Sequence, residues 1–141
     1  MSRNVDAVRS GFDLWNDRGW KDAASRYTET ATLVDHGREV TYEGRDEIAA
    51  SWVEIVKGFP DAELTDLTSY DAGDTVVTTV VGRGTNKGEV MGMPATGRRV
   101  SLPFVSIAHF DENGLIDREE QYSDAFSMLV QLGHAKAPAQ A

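Results

Sequence analysis

The sequence contains no cysteine. Disulfides, thiolate nucleophiles and thiolate-bound metals are excluded together, and a reducing, cytoplasmic setting is the expectation. Cations are also in short supply: 14 Lys and Arg face 23 Asp and Glu, a formal net charge of −9. Nucleic-acid binding draws much of its affinity from counterions released by clustered Lys and Arg. No such cluster occurs, so neither nucleic acid nor an anionic membrane is an expected partner. No apolar run reaches the roughly 20 residues that cross a bilayer, and the N-terminal segment lacks the apolar stretch of a signal peptide. His36, His109 and His134 are scattered and no H-E-x-x-H pair occurs, which argues against zinc. There is no G-x-S-x-G elbow. Gly82-Arg83-Gly84 lies in a strand pattern with no helix behind it, so it is no phosphate cradle.

What remains is a chain of 141 residues, 40% apolar, long enough for one core and too short for two. One domain is expected over residues 1–134, followed by a short polar tail, 135–141, that frays. Val5, Val8, Phe12 and Trp15 recur at helical spacing and predict a first helix from about Arg3 to Asn16. Trp20, Ala23, Ala24 and Tyr27 mark a short second helix. A β-branched run over 31–35 predicts a strand, which His36-Gly37-Arg38 turns into a second short strand over 39–42. Gly44 opens a third helix with an apolar stripe of Ile48, Trp52, Ile55 and Val56, ended by Gly58 and Pro60. Four long strands follow, over 62–70, 75–85, 98–110 and 115–122, with a loop over 88–97. Ser123 is placed to cap a last helix with Phe126, Leu129 and Val130 inward and Gly133 as its stop. Helices early and strands late predict an α+β domain, with helices packed on one face of a curved sheet and a pocket between them.

Several segments stand in one order and register. They are Gly44-Arg45-Asp46-Glu47-Ile48, Phe59-Pro60-Asp61, Gly73-Asp74-Thr75-Val76-Val77, Gly92-Met93-Pro94-Ala95-Thr96-Gly97-Arg98, Asn113-Gly114-Leu115-Ile116, Tyr122-x-Asp124 and Gln131-Leu132-Gly133. From about Val5 to Gly133 this string resembles the SnoaL-like polyketide cyclase family, within the nuclear transport factor 2-like superfamily. The resemblance implies a cone-shaped barrel of curved antiparallel or mixed sheet, with helices on its concave face. It implies a homo-oligomer, dimer or tetramer, that meets through the convex face. It also implies a hydrophobic small-molecule ligand and chemistry with no metal and no cofactor. The best-known members close a polyketide ring by intramolecular aldol chemistry, with an acid near the end of the last strand moving the proton. Relatives of similar fold hydrolyse epoxides, isomerise ketosteroids, hydroxylate polyketides or only bind, and fold alone does not choose among these.

Asp124 falls at the family's acid position, eight residues after Ile116. An enolisable ketone needs a base within hydrogen-bond reach, and an apolar pocket raises a carboxyl pKa toward neutrality. An Asp here equally suits the first turn of a helix, where the dipole favours negative charge. Alternation places Ile116, Arg118, Glu120, Tyr122 and Asp124 on one face of the last strand, and Asp117, Glu119, Gln121 and Ser123 on the other. If Ile116 points inward, Arg118, Glu120 and Tyr122 line the way to Asp124. Tyr122 could donate to an enolate oxygen, whereas Arg118 and Glu120 equally suit an ion pair at the mouth. His36 ends the first strand, where family members often carry a His; it could polarise a carbonyl or simply occupy the turn beside Gly37. Pairing of Phe110 with Ile116 sets His109 off the pocket face, and a bulge would reverse that. Trp15, Trp52, Phe59 and Phe104 are core-type aromatics that could also wall a flat substrate. Met91, in the Met91-Gly92-Met93-Pro94 loop, suits an adaptable lip. Three readings stay open. One is catalysis by Asp124 with Tyr122 and His36. The second is a binding module in which Asp124 is only a helix-end charge. The third is a hydrolase or hydroxylase in which Asp35 approaches Arg118.

Overall fold

The computed structural model describes residues 2–138. The last three residues of the expected tail lie outside this range. The first helix, α1 (Arg3–Asn16), starts where the Ser2 hydroxyl accepts a 3.1 Å hydrogen bond from the Val5 amide. That satisfies one of the amides a helix start leaves open. Val5, Val8 and Trp15 form its buried stripe. Arg18, at φ 65°, and Gly19 end it.

The second helix, α2 (Trp20–Ala24), is shorter than its apolar spacing suggests. Tyr27 is not its last turn but the first residue of β1 (Tyr27–Asp35). Its ring lies buried 5.8 Å from that of Trp52. Burial of this size, about 2 kcal/mol for a large apolar side chain, decides the matter where local propensity is weak. The short β2 (Val40–Glu43) returns along β1. Then α3 (Arg45–Gly58) buries Ile48 and Trp52. Four strands follow, β3 (Glu63–Ala72), β4 (Thr75–Thr85), β5 (Arg99–Phe110) and β6 (Ile116–Ser123), and α4 (Ala125–Leu132) closes the order.

The six strands form one mixed sheet in the order β2-β1-β6-β5-β4-β3. β1 and β6 run parallel, and every other neighbouring pair is antiparallel. This is the α+β class expected, but the barrel implied by the resemblance is not closed: β2 and β3 are free edges. α1 lies against β3 and β4, α3 against β1 and β2, and α4 against β5. The core between them joins Val5, Val8, Trp15, Ile48 and Trp52 to Leu33, Val76, Ala108 and Ile116. No helix among the described residues is long and apolar enough to cross a membrane.

One irregularity determines which residues face that core. Phe110 pairs with Ile116, but His109 pairs with Arg118, so Asp117 is an extra residue in β6. A bulge of this kind inverts the alternation beyond it. Ile116 is buried, and Glu119, Gln121 and Ser123 follow it on the inner face. The expectation that Arg118, Glu120 and Tyr122 share the face of Ile116 is therefore corrected: they point away from the core. The start of α4 differs as well. Asp124, not Ser123, is the N-cap, and its Oδ1 accepts from the Ser127 amide at 3.0 Å. Leu132 is the buried residue of α4, while Phe126 is 48% exposed rather than inward. Gly133 ends the helix in the left-handed conformation, as expected.

Candidate active site

A cavity of about 560 Å³ lies between the helices and the inner face of the sheet. That is within the roughly 300–1,000 Å³ range of small-molecule sites. Its walls are mainly apolar and include Phe12, Trp15, Trp52, Phe59 and Phe104, with Met91 from the 88–97 loop. So Trp15, Trp52, Phe104 and Met91 all line one space. The rings of Trp20 and Tyr27 lie 6.3 and 5.8 Å from that of Trp52 and fix its position.

The polar part of the lining gathers along β6 and the strands beside it. Glu119 is only 4% exposed. Its Oε1 accepts a short hydrogen bond from the Tyr27 hydroxyl. Its Oε2 accepts from Ser106 Oγ and Gln121 Nε2, both at 2.9 Å. A buried carboxylate is tolerated only when its oxygens are satisfied, and here three donors do so. Burial first, then the charge and hydrogen bond of Glu119, push the Tyr27 phenol well above its ordinary pKa. Tyr27 therefore stays a proton donor to Glu119 across the physiological range.

A second polar group comes from the end of β1 and the turn after it. Arg38 Nε donates to Asp35 Oδ2 at 2.8 Å, and Arg38 Nη2 donates to the Tyr42 hydroxyl at 3.1 Å. Burial alone would lower the Arg38 pKa, but the hydrogen bond and charge of Asp35 outweigh it and hold the guanidinium above its usual value. Asp35, Arg38 and Tyr42 line the same cavity as Glu119. Gly37 lets this turn sit close to β6. A Cβ on it would lie 2.5 Å from Ser123 Oγ, so no larger residue fits without a shift.

The outer face of β6 carries a different group. His36 Nε2 lies 2.8 Å from Glu120 Oε2, and the His36 ring stacks on Tyr122 at 4.4 Å. Tyr122 donates to Glu120 at 3.2 Å, and Arg118 Nε donates to it at 3.3 Å. His109 Nε2 is 3.9 Å from the same carboxylate, on the face away from the cavity. Hydrogen bonds from His36 and then Arg118 hold the Glu120 carboxyl down to about 2. Partial desolvation, and then Glu120 beside it, raise the Tyr122 phenol. None of His36, His109, Arg118, Glu120 and Tyr122 lines the cavity. Asp124 is exposed and borders a shallow outer groove with Tyr122 and Val105. Its neighbours Ser123 and Ala125 reach the cavity, and its own side chain does not.

The structure thus brings together Glu119, Tyr27, Ser106, Gln121, Arg38 and Tyr42, none of them proposed as site residues from the sequence, with Asp35, which pairs with Arg38 and not with Arg118 as the third reading expected. A single extra residue in β6 hides Glu119 from any alternation count. Tyr27 was hidden by the helical spacing of its neighbours. The polar run of β6 itself was the available signal. Glu119, Glu120 and Gln121 in a strand must put some polar group inside, whichever register holds.

The profile of the SnoaL-like polyketide cyclases matches residues 5–132. No match is found among curated proteins. Among solved structures, the chain is similar to a candidate SnoaL-like polyketide cyclase from Jannaschia sp. CCS1, with TM-score 0.85, 23% identity and 98% of each chain covered. It is similar to IdmH, a candidate polyketide cyclase from Streptomyces antibioticus, with TM-score 0.79, 25% identity, and 94% of this chain and 99% of that one covered. It is also similar to AclR, a candidate hydroxylase from Streptomyces galilaeus, with TM-score 0.84, 20% identity, and 99% and 87% covered. The fold is the nuclear transport factor 2-like one, and the chain belongs to the SnoaL-like polyketide cyclase family.

Proposed function

We propose that the protein is a cofactor-independent acid/base enzyme that enolises and cyclises a hydrophobic carbonyl compound of polyketide type. The observation that supports this most is Glu119, a buried carboxylate in an aromatic-walled cavity, held by three neutral donors. In this reading Glu119 removes a proton from the carbon next to a carbonyl, leaving an enolate. Arg38 uses Nε for Asp35 and Nη2 for Tyr42, so Nη1 remains for the developing oxyanion. The enolate carbon then attacks a second carbonyl of the same molecule and forms the new carbon–carbon bond. Glu119, now protonated, returns its proton to the resulting alkoxide. A positioned base of this kind contributes about 10²–10⁴ in rate.

Proton exchange tests this without knowledge of the natural substrate. In D₂O the protein should accelerate exchange of the α-hydrogens of a bicyclic ketone such as 2-tetralone, read by proton NMR. Glu119→Gln should lose that acceleration and Asp124→Asn should keep it. Loss in Asp124→Asn alone would return the role to the position that the family resemblance marks. No exchange by the unaltered protein would favour a binding protein over an enzyme.

A second reading has a specific observation in its favour: the Asp35–Arg38 pair shares the cavity with Glu119. Two carboxylates and a guanidinium could hold a water for opening an epoxide. Conversion of a cyclic epoxide to its diol, lost in Asp35→Asn, would favour that chemistry. In either reading the protein works as a homo-oligomer that covers the outer sheet face, where Tyr70 and Tyr122 are 58% and 45% exposed. Sedimentation as a monomer at micromolar concentration would contradict this.

A further inference from the structure

The charges around the cavity are unequal. Its lining holds six carboxylates, Asp35, Glu47, Glu54, Glu63, Glu89 and Glu119, against three guanidinium groups, Arg26, Arg38 and Arg83. Local ion pairs neutralise some of these. Arg38 pairs with Asp35 and Lys57 with Glu54, each at 2.8 Å. Arg83 pairs at 2.7 Å with Asp66, which is not part of the lining. Among the described residues, Glu47, Glu63, Glu89 and Glu119 then stand against Arg26 alone. Arg26 is drawn toward α1, where its Nη2 donates to Ser10 at 2.8 Å.

These four carboxylates fall into two sets. Glu47 on α3, Glu63 at the start of β3 and Glu89 in the 88–97 loop are exposed. They line the cavity where it meets solvent and raise the local concentration of cations. Glu119 is inside, and its donors, Tyr27, Ser106 and Gln121, are all neutral. The same cavity is walled by aromatic rings, Trp15, Trp52 and Tyr27 among them. The face of such a ring attracts a cation within about 6 Å of its centre, most strongly where water is excluded. An anion entering here meets four carboxylates without a paired cation, against Arg26, held by Ser10, and Arg38, whose charge Asp35 balances. A hydrophobic cation meets attraction at the rim, at the walls and at Glu119.

From this geometry we propose that the cavity selects a hydrophobic cation: a ring system carrying a protonated amine, seated against the aromatic walls with its nitrogen toward Glu119. The proposal rests on the reading of this cavity as the substrate site and adds that the carbonyl compound taken there carries an ammonium group beside its α-carbon, so that both meet the Glu119 carboxylate.

Three probes of one shape and three charges test it on the full chain: naphthalen-2-ylmethylammonium, naphthalen-2-ylmethanol and 2-naphthoate, read by tryptophan fluorescence at low ionic strength. The ammonium should bind about tenfold or more tighter than the alcohol, and the naphthoate weakest of the three. Glu119→Gln keeps the size of the side chain and removes its charge. It should bring the ammonium down to the affinity of the alcohol. Naphthoate binding as tightly as the ammonium would overturn the proposal, as would an ammonium preference unchanged in Glu119→Gln. If that variant does not fold, the order of the three affinities in the unaltered protein decides alone. Tight alcohol binding without charge preference would defeat the proposal while leaving the cavity as a ligand site. Binding of none of the three would defeat both.

Discussion

β6 carries two carboxylates side by side in sequence, Glu119 and Glu120, and the sheet sends them to opposite worlds. Glu119 is buried against Tyr27, Ser106 and Gln121, with the cavity beside it. Glu120 sits on the outer face among His36, Arg118, Tyr122 and His109. By residue type the outer group looks more like a catalytic site, with two imidazoles, a phenol and a guanidinium around one acid. It lacks an enclosed volume that would hold a substrate and exclude water. The inner group has fewer titratable residues but stands in a low-dielectric hollow, where each polar group acts with less screening. On the proposed function, one carboxylate with its donors at the wall of a cavity outweighs a concentration of ionisable side chains on an open face.

The largest effect expected on this comparison comes from Glu119. Glu119→Gln should slow α-hydrogen exchange about 100-fold or more, with the same substitution at Glu120 leaving it within a few-fold. Glu119→Leu should also destabilise the fold by about 2–4 kcal/mol in urea unfolding, because buried donors lose their acceptor. Next comes the ion pair beside it. Arg38→Met leaves Asp35, itself 8% exposed, without its cation. Loss of about 2–3 kcal/mol is expected, toward the lower end for a buried pair because Arg38 is half-buried. Asp124→Ala removes the α4 cap and should cost about 1 kcal/mol, whereas exchange activity should be nearly unchanged.

The smallest effect is the one at Glu120. Its folded-state pKa is held down to about 2, below the ordinary 4.5. Its contribution is thus present above pH 4.5 and fades as pH falls toward 2. Glu120→Gln should flatten the fall in urea midpoint across that acid window. At neutral pH it should cost less than about 1 kcal/mol, since its partners His36 and Arg118 are exposed to solvent. A steeper acid response in Glu120→Gln than in the unaltered protein would contradict the assignment of the outer cluster.

Much of the fold was legible in the sequence. The α1 stripe of Val5, Val8 and Trp15, the α3 stripe of Ile48 and Trp52, and the long β-branched runs state their period directly. The walls were legible for the same reason, since Trp15, Trp52 and Phe104 sit on buried faces. The polar lining of the cavity was not. Alternation is a count, and Asp117 adds one to it without any glycine or proline to announce a bulge. Tyr27 sits at helical spacing from Ala23 and Ala24, and pairing with Ile116 of β6 across the fold makes it a strand residue. Asp124 reads equally as a proton shuttle and as a cap, and the hydrogen bond to Ser127 shows that it caps.

The most direct test is α-hydrogen exchange by Glu119→Gln and Asp124→Asn, measured side by side with a thermal melt of each. Two folded proteins are expected, with exchange abolished in the first and retained in the second. Retained exchange in a folded Glu119→Gln would contradict the role of Glu119 as the base.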